Sequence, residues 1–171
     1  VEPGVEVRVT PDRAISFGTG TFGPSSLVAR GTAADPIVFT SNLPAGQQAA
    51  GDWVGLFLGN GVEDAEYDGQ DGSYLSGAIL EHCVVEFAGG GNAGSGSVTA
   101  QRSAPAVRDV TIRDSARAGL LVDGASAPAL RLARNAFRRC SGVSTGGGLH
   151  LVGGSGHLIE DCVFEDNTGS S

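Results

Sequence analysis

Four stretches in the second half of the chain share one order of apolar and polar positions: AILEHCVVEFA (residues 78–88), VRDVTIRDS (107–115), LARNAFRRC (132–140) and IEDCVFEDN (159–167). Their first apolar position falls at Leu80, Val107, Leu132 and Ile159, steps of 27, 25 and 27 residues, and Val85, Ile112, Phe137 and Phe164 follow the same steps. A unit this short cannot bury its apolar face alone. It must stack on its neighbours, so the pattern predicts a solenoid.

The first half reads as strand after strand. VEVRV (5–9) alternates apolar and charged residues, and AISF (14–17), LVA (27–29), IVFT (37–40) and WVGLFL (53–58) follow, each bounded by Gly, Pro, Ser or Asn. No segment shows a convincing helical period. The best helical candidate, residues 103–117, contains Pro105 and the β-branched Val107, Val110, Thr111 and Ile112, which favour strand. In the repeating half a further strand follows each pair, GLLV (119–122) and GLHLV (148–152), matching GLFL (55–58). Three short strands and three turns in about 25 residues are the unit of a parallel β-helix. Two turn-rich insertions, residues 60–74 and 89–97, are expected as outer loops.

Stacking in register turns matching positions into columns. Val85, Ile112, Phe137, Phe164 and Leu80, Val107, Leu132, Ile159 are core columns. Between them run three columns that are largely charged: Glu86, Arg113, Arg138, Glu165; His82, Asp109, Arg134, Asp161; and Phe87, Asp114, Arg139, Asp166. Opposite charges mostly adjoin, which stabilises neighbouring strands by roughly 0.2–1 kcal/mol per pair.

The ordered landmarks VEPGVEV, LVARGTAADPIVFTS (27–41), GDWVGLFLG (51–59) and SGAILEHCVVEFAGGG (76–91) resemble those of secreted bacterial right-handed parallel β-helix repeat proteins. The resemblance covers residues 1–91 as ordered motifs and the remainder as generic repeats. It implies an all-β chain: a right-handed single-stranded parallel β-helix of about five to six coils, forming one domain over residues 1–171, alone or within a longer solenoid or stacked assembly. It also implies an extracellular or cell-surface location and a non-enzymatic structural role, as a surface, adhesive or fibre-forming module.

Composition narrows the partners. Of 171 residues 28 are Gly, all 11 basic residues are Arg, and the net charge is −8. An acidic chain without a basic stripe is a poor match for nucleic acid or anionic membranes, and no apolar run approaches the ~18 residues of a membrane span. The chain has neither a signal peptide nor an initiator Met, and reads as a mature product or an excised piece. Cys83 and Cys162 share one repeat position three steps apart, roughly 14 Å at the ~4.8 Å strand spacing and beyond disulfide reach. Together with Cys140 they are expected as buried free thiols.

Two features carry candidate chemistry. The charged strip, with His82, Asp109, Arg113, Arg134 and Arg138, is either a register-setting ladder or a face that binds polysaccharide, as a carbohydrate-binding domain or a polysaccharide lyase or hydrolase. Lyases of similar fold use an Arg or Lys base with calcium held by several Asp, whereas here each Asp adjoins Arg within its column. The NTD, DD and GHG motifs of related polygalacturonases are absent, since Gly156-His157 is followed by Leu158. His82, His150 and His157 fall at different repeat positions and are expected as structural residues. The acidic insertion, with Glu63, Asp64, Glu66, Asp68 and Asp71, is either a solvated loop or a source of oxygen ligands for calcium. No other cofactor is expected. The start shows no amphipathic capping helix and the sequence stops at DNTGSS just after a strand, so either the chain is a piece of a longer β-helix or its exposed ends self-associate head to tail.

Overall fold

The computed structural model describes residues 1–19, 25–91, 95–124, 129–143 and 146–170. In chain order the strands are β1 (Glu6–Val9), β2 (Ala14–Phe17), β3 (Val28–Arg30), β4 (Ile37–Ser41), β5 (Gly55–Leu58), β6 (Glu66–Tyr67), β7 (Tyr74–Ser76), β8 (Ile79–Glu81), β9 (Cys83–Glu86) and β10 (Gly96–Gln101). They continue with β11 (Ala106–Arg108), β12 (Thr111–Ser115), β13 (Ala118–Asp123), β14 (Arg131–Ala133), β15 (Ala136–Val143), β16 (Leu149–Val152), β17 (Leu158–Glu160), β18 (Val163–Glu165) and β19 (Thr168–Ser170). The described residues hold no helix.

Apart from the antiparallel pair β6–β7, the strands form three parallel sheets. Their orders are β1-β4-β9-β12-β15-β18, with β19 also on β15; β2-β5-β10-β13-β16; and β3-β8-β11-β14-β17. Successive strands visit the three sheets in rotation, and each joins its sheet beside the strand one repeat earlier. The core columns are in the predicted register: Leu80, Val107, Leu132 and Ile159 pair across the third sheet, and Val85, Ile112, Phe137 and Phe164 across the first. Ala29 and Phe39 extend these columns toward the N-terminus. Leu80, Val85, Ile112 and Phe137 are fully buried, and the Phe137 and Phe164 rings stack at 4.9 Å.

Corners between strands use the left-handed backbone region. His82, Asp109, Arg134 and Asp161 have φ between 47° and 55°, and Phe87, Asp114, Arg139 and Asp166 between 51° and 59°. Left-handed backbone is costly for residues other than Gly, Asn and Asp, so a recurring Arg, His or Phe there is held by its surroundings. The His82, Asp109, Arg134, Asp161 column thus lies at a corner between the third and first sheets, and the Phe87, Asp114, Arg139, Asp166 column at a left-handed bend that falls inside β12 at Asp114 and inside β15 at Arg139. A left-handed residue reverses the local side-chain direction, which points these charges outward while the following residues, Val110 and Asn135 after one corner and Ser115 and Cys140 after the other, are buried.

Both insertions differ from the expected plain loops. Residues 60–74 contain β6 and the start of β7, with Tyr67 and Tyr74 packed edge to face at 6.5 Å. Gly77 ends this hairpin at φ 95°, and a Cβ there would collide with the Asp64 carbonyl. In the second insertion, Gly96 and Ser97 begin β10, a strand paired on both sides, with β5 and β13, because Val98 and Ala100 continue the buried columns of Leu56 and Leu58. Residues 92–94 of that insertion lie outside the described residues.

Candidate functional site

The charged strip resolves into paired ladders. On the first sheet, Glu86 is 9% exposed and accepts from Thr40 Oγ1 at 2.9 Å and from Arg113 Nε and Nη2 at 2.8 and 2.6 Å. Arg138 donates through Nε to Glu165 at 2.7 Å. Arg113 and Arg138 are register partners, so each turns to the carboxylate on its other side.

At the corners two forks repeat one geometry. Arg134 Nε and Nη2 donate to the two oxygens of Asp109 at 2.8 and 2.6 Å, and Arg139 does the same to Asp114 at 2.7 and 2.8 Å. The Arg134 hydrogen bond holds the Asp109 carboxyl below its ordinary range, and the Arg134 guanidinium is raised in turn. On the third sheet Arg30 and Arg108 both reach Glu81 at 2.7 Å. Burial pushes the Glu81 carboxyl up, but the two guanidinia together outweigh it and leave the group lowered.

His82, Asp109, Arg113, Arg134 and Arg138 are thus spread over one sheet face and one corner row. Of the five, Arg134 borders the recess on the third sheet.

The acidic insertion engages its carboxylates locally. Asp64 Oδ1 accepts from the Ala104 N–H at 2.7 Å, and Glu66 Oε2 from Ser76 Oγ at 2.9 Å. Asp68 Oδ1 accepts from the Gln70 N–H at 2.7 Å, and Asp71 Oδ1 from the Ser73 N–H at 2.8 Å, which lowers the Asp71 carboxyl. Glu63, Asp64 and Glu66 border one shallow recess beside Gly77, while Asp68 and Asp71 form the turn of the hairpin. Among the described residues no group of three or more His, Cys, Asp or Glu is placed to hold a metal ion.

A second recess, about 190 Å³, lies on the outer face of the third sheet beside the hairpin. Tyr67, Arg108, Arg131, Ala133, Arg134 and Glu160 border it. The Arg131 guanidinium lies 4.4 Å over the Tyr67 ring, and Arg30 and Arg108 lie 5.6 and 5.8 Å from the Tyr74 ring centre. Tyr67, Arg131 and Glu160 were not legible as site residues from the repeat alone. One signal was present: in the column Val28, Ile79, Ala106, Arg131, Leu158, Arg131 is the only charged member.

The three cysteines are free. Burial pushes the Cys83 and Cys140 thiols up to about 11, so neither is a nucleophile near neutrality, and Cys162 is half-buried. His157 accepts at Nδ1 from the Leu130 N–H at 3.1 Å, a structural role, and His150 stands in the β16 ladder beside Leu121. No described helix is long and apolar enough to cross a membrane. Comparison with protein-family models, curated proteins and solved structures finds no match to this chain.

Proposed function

We propose that this chain is a non-enzymatic extracellular scaffold, secreted or held at a cell surface, built as a right-handed single-stranded parallel β-helix of five to six coils. The rotation of strands through three parallel sheets, with six strands along the longest path and five in each of the others, supports the coil reading. The observation that carries the functional reading is the mutual pairing of the charged strip. Asp109 with Arg134, Asp114 with Arg139, and Glu86 with Arg113 use each other's hydrogen-bonding capacity across neighbouring coils. A general base or a metal ligand needs a free lone pair aimed at substrate or ion; a ladder that sets register needs complementary neighbours.

The scaffold reading includes head-to-tail stacking of copies. The edge strands β17 and β18 would form the contact surface, with Ile159 and Phe164 at 42% and 49% exposure. Glu165 would there meet Arg8, the first member of its own column, reached through Arg8–Thr40 pairing and the Thr40–Glu86 hydrogen bond. Negative-stain electron microscopy and sedimentation velocity across a concentration series test this: filaments or concentration-dependent oligomers are expected, and a monodisperse monomer throughout overturns the assembly. Turnover of a polysaccharide by the purified chain would overturn the non-enzymatic role.

A second reading, a carbohydrate-binding module, is favoured by one observation, the recess between Arg131 and Glu160.

A further inference from the structure

The recess beside the hairpin arises from side-chain size. On the outer face of the third sheet, one column runs Arg30, Glu81, Arg108, Ala133, Glu160 and its neighbour Val28, Ile79, Ala106, Arg131, Leu158. Larger side chains fill both columns except at Ala106 and Ala133, which lie diagonally beside each other. Two methyl groups in place of long chains leave a depression with an apolar floor, and the hairpin bearing Tyr67 supplies one wall.

The charges around this floor are paired only in part. Arg108 is committed to Glu81, and Arg134 to Asp109. Arg131 has no carboxylate partner among the described residues; its guanidinium is stacked on Tyr67. Stacking occupies the guanidinium face and leaves its in-plane N–H donors free, a fork already oriented for a carboxylate. Gly72, at φ 71°, lies so close that a Cβ there would be 3.0 Å from Arg131 Nη1, so the hairpin backs the guanidinium as well. On the other side the Glu160 carboxylate likewise has no side-chain partner among the described residues. Arg131 pairs with Leu158 and Ala133 with Glu160, so the Arg131 and Glu160 Cα atoms stand one strand and two residues apart, about 8 Å from strand spacing and rise.

We infer that this recess binds one carboxylated sugar residue, a uronate, with its carboxylate on Arg131, a ring hydroxyl donating to Glu160, and the C–H face of the ring on Ala133, beside the buried Ala106. Arg131 and Glu160 border the same recess, so one ring lying in it has both groups beside it. The recess is smaller than the roughly 300 Å³ lower end of drug-sized pockets, which fits a single residue. An acidic peptide fits less well, because Glu160 repels a second carboxylate. The inference rests on the carbohydrate-binding reading and requires no catalysis.

The test titrates D-galacturonate into the isotope-labelled full chain, followed by amide chemical shifts, with D-galactose and L-glutamate as comparators and sodium polygalacturonate as a polymer. Galacturonate is expected to perturb the amides of β14, β17 and the hairpin. Galactose, lacking the charge-assisted pair, is expected to bind at least about tenfold more weakly, and Arg131→Ala to weaken galacturonate by at least about tenfold. Arg131 is exposed, so Arg131→Ala is expected to keep the wild-type unfolding midpoint; Arg131→Lys, which keeps the charge but not the fork, is expected to fall between. Galactose binding as tightly as galacturonate, or glutamate binding more tightly, overturns the uronate assignment. If the polymer binds but Arg131→Ala binds it equally, the recess is wrong while the carbohydrate reading stands. If neither polymer nor monosaccharide binds, both fail.

Discussion

Asn135 spans the gap to Val107 one repeat earlier, at a corner where the strand ladder is interrupted. Its Nδ2 donates to the Val107 carbonyl at 2.9 Å while its Oδ1 accepts from the Val110 N–H at 3.0 Å, and the side chain is 1% exposed. Asn167 repeats the device at the next corner, accepting from the Cys140 N–H at 3.0 Å and donating to the Phe137 carbonyl at 2.9 Å. The chain changes direction at each left-handed residue, so backbone groups beside it lose their ladder partners. An amide supplies one donor and one acceptor in the same place.

Replacing Asn135 by Ala strands two backbone groups in a dry interior, and a loss of about 2–4 kcal/mol is expected. Asn135→Leu, which keeps the volume, is expected to lose a similar amount. Urea unfolding measures both; a loss below about 0.5 kcal/mol for Asn135→Ala would mean that water or a backbone shift replaces the amide.

The Glu86–Arg113 pair is asymmetric in burial. Arg113 is 44% exposed at its side chain and can hydrate when its partner is gone, whereas the Glu86 side chain is 11% exposed and would keep only Thr40. Arg113→Ala is therefore expected to destabilise more than Glu86→Gln does, with a coupling of about 1 kcal/mol in a double-mutant cycle. Equal single losses and no coupling would show the pair to be a solvated contact.

Acid sensitivity follows from the lowered carboxyls. Asp109, held by Arg134, and Glu81, held by Arg30 and Arg108 against the effect of burial, each have a folded-state pKa below the unfolded value. Such groups contribute stability that is fully present above the unfolded pKa, about 4 for these carboxyls, and lost as pH falls through the folded one. The unfolding temperature is expected to be flat with respect to these groups near neutrality and to drop below about pH 4. Asp109→Asn is expected to lower the neutral plateau and make the acid drop shallower. A steeper acid drop in Asp109→Asn would contradict the assignment.

Thiol labelling reads the repeat directly. With Cys83 and Cys140 buried and raised to about 11, an aromatic disulfide reagent at pH 8 is expected to react first with Cys162 alone, and with all three thiols in denaturant. Rapid loss of a second thiol in the native protein would show that one of the buried cysteine positions opens.

The repeat was legible because its information is local and periodic. Leu80, Val85 and their successors recur at steps of 25 to 27 residues, and stacking converts that spacing into strand register without further information. The Glu86–Arg113–Arg138–Glu165 ladder followed from the same step; of the three thiols expected to be buried, Cys83 and Cys140 are, and Cys162 is half-buried. β10 was not legible, because its strand is preceded by a glycine run whose composition resembles a loop; it is paired because β5 and β13 offer edges on both sides. The hairpin β6–β7 was hidden for a similar reason, since acidic and glycine residues mask the two tyrosines that hold it.

The amino-acid order by itself determined which residues stack on which: parallel strands of successive repeats meet in register wherever the apolar spacing is kept, and the core and the charge columns come with it. Only the tertiary structure decided which charges are free. Whether a guanidinium meets a carboxylate depends on backbone direction at the corners and on where an insertion folds back. The left-handed bends turn Arg134 and Arg139 onto Asp109 and Asp114, while the hairpin brings Tyr67 over Arg131 and leaves that arginine facing a recess opened by two alanines.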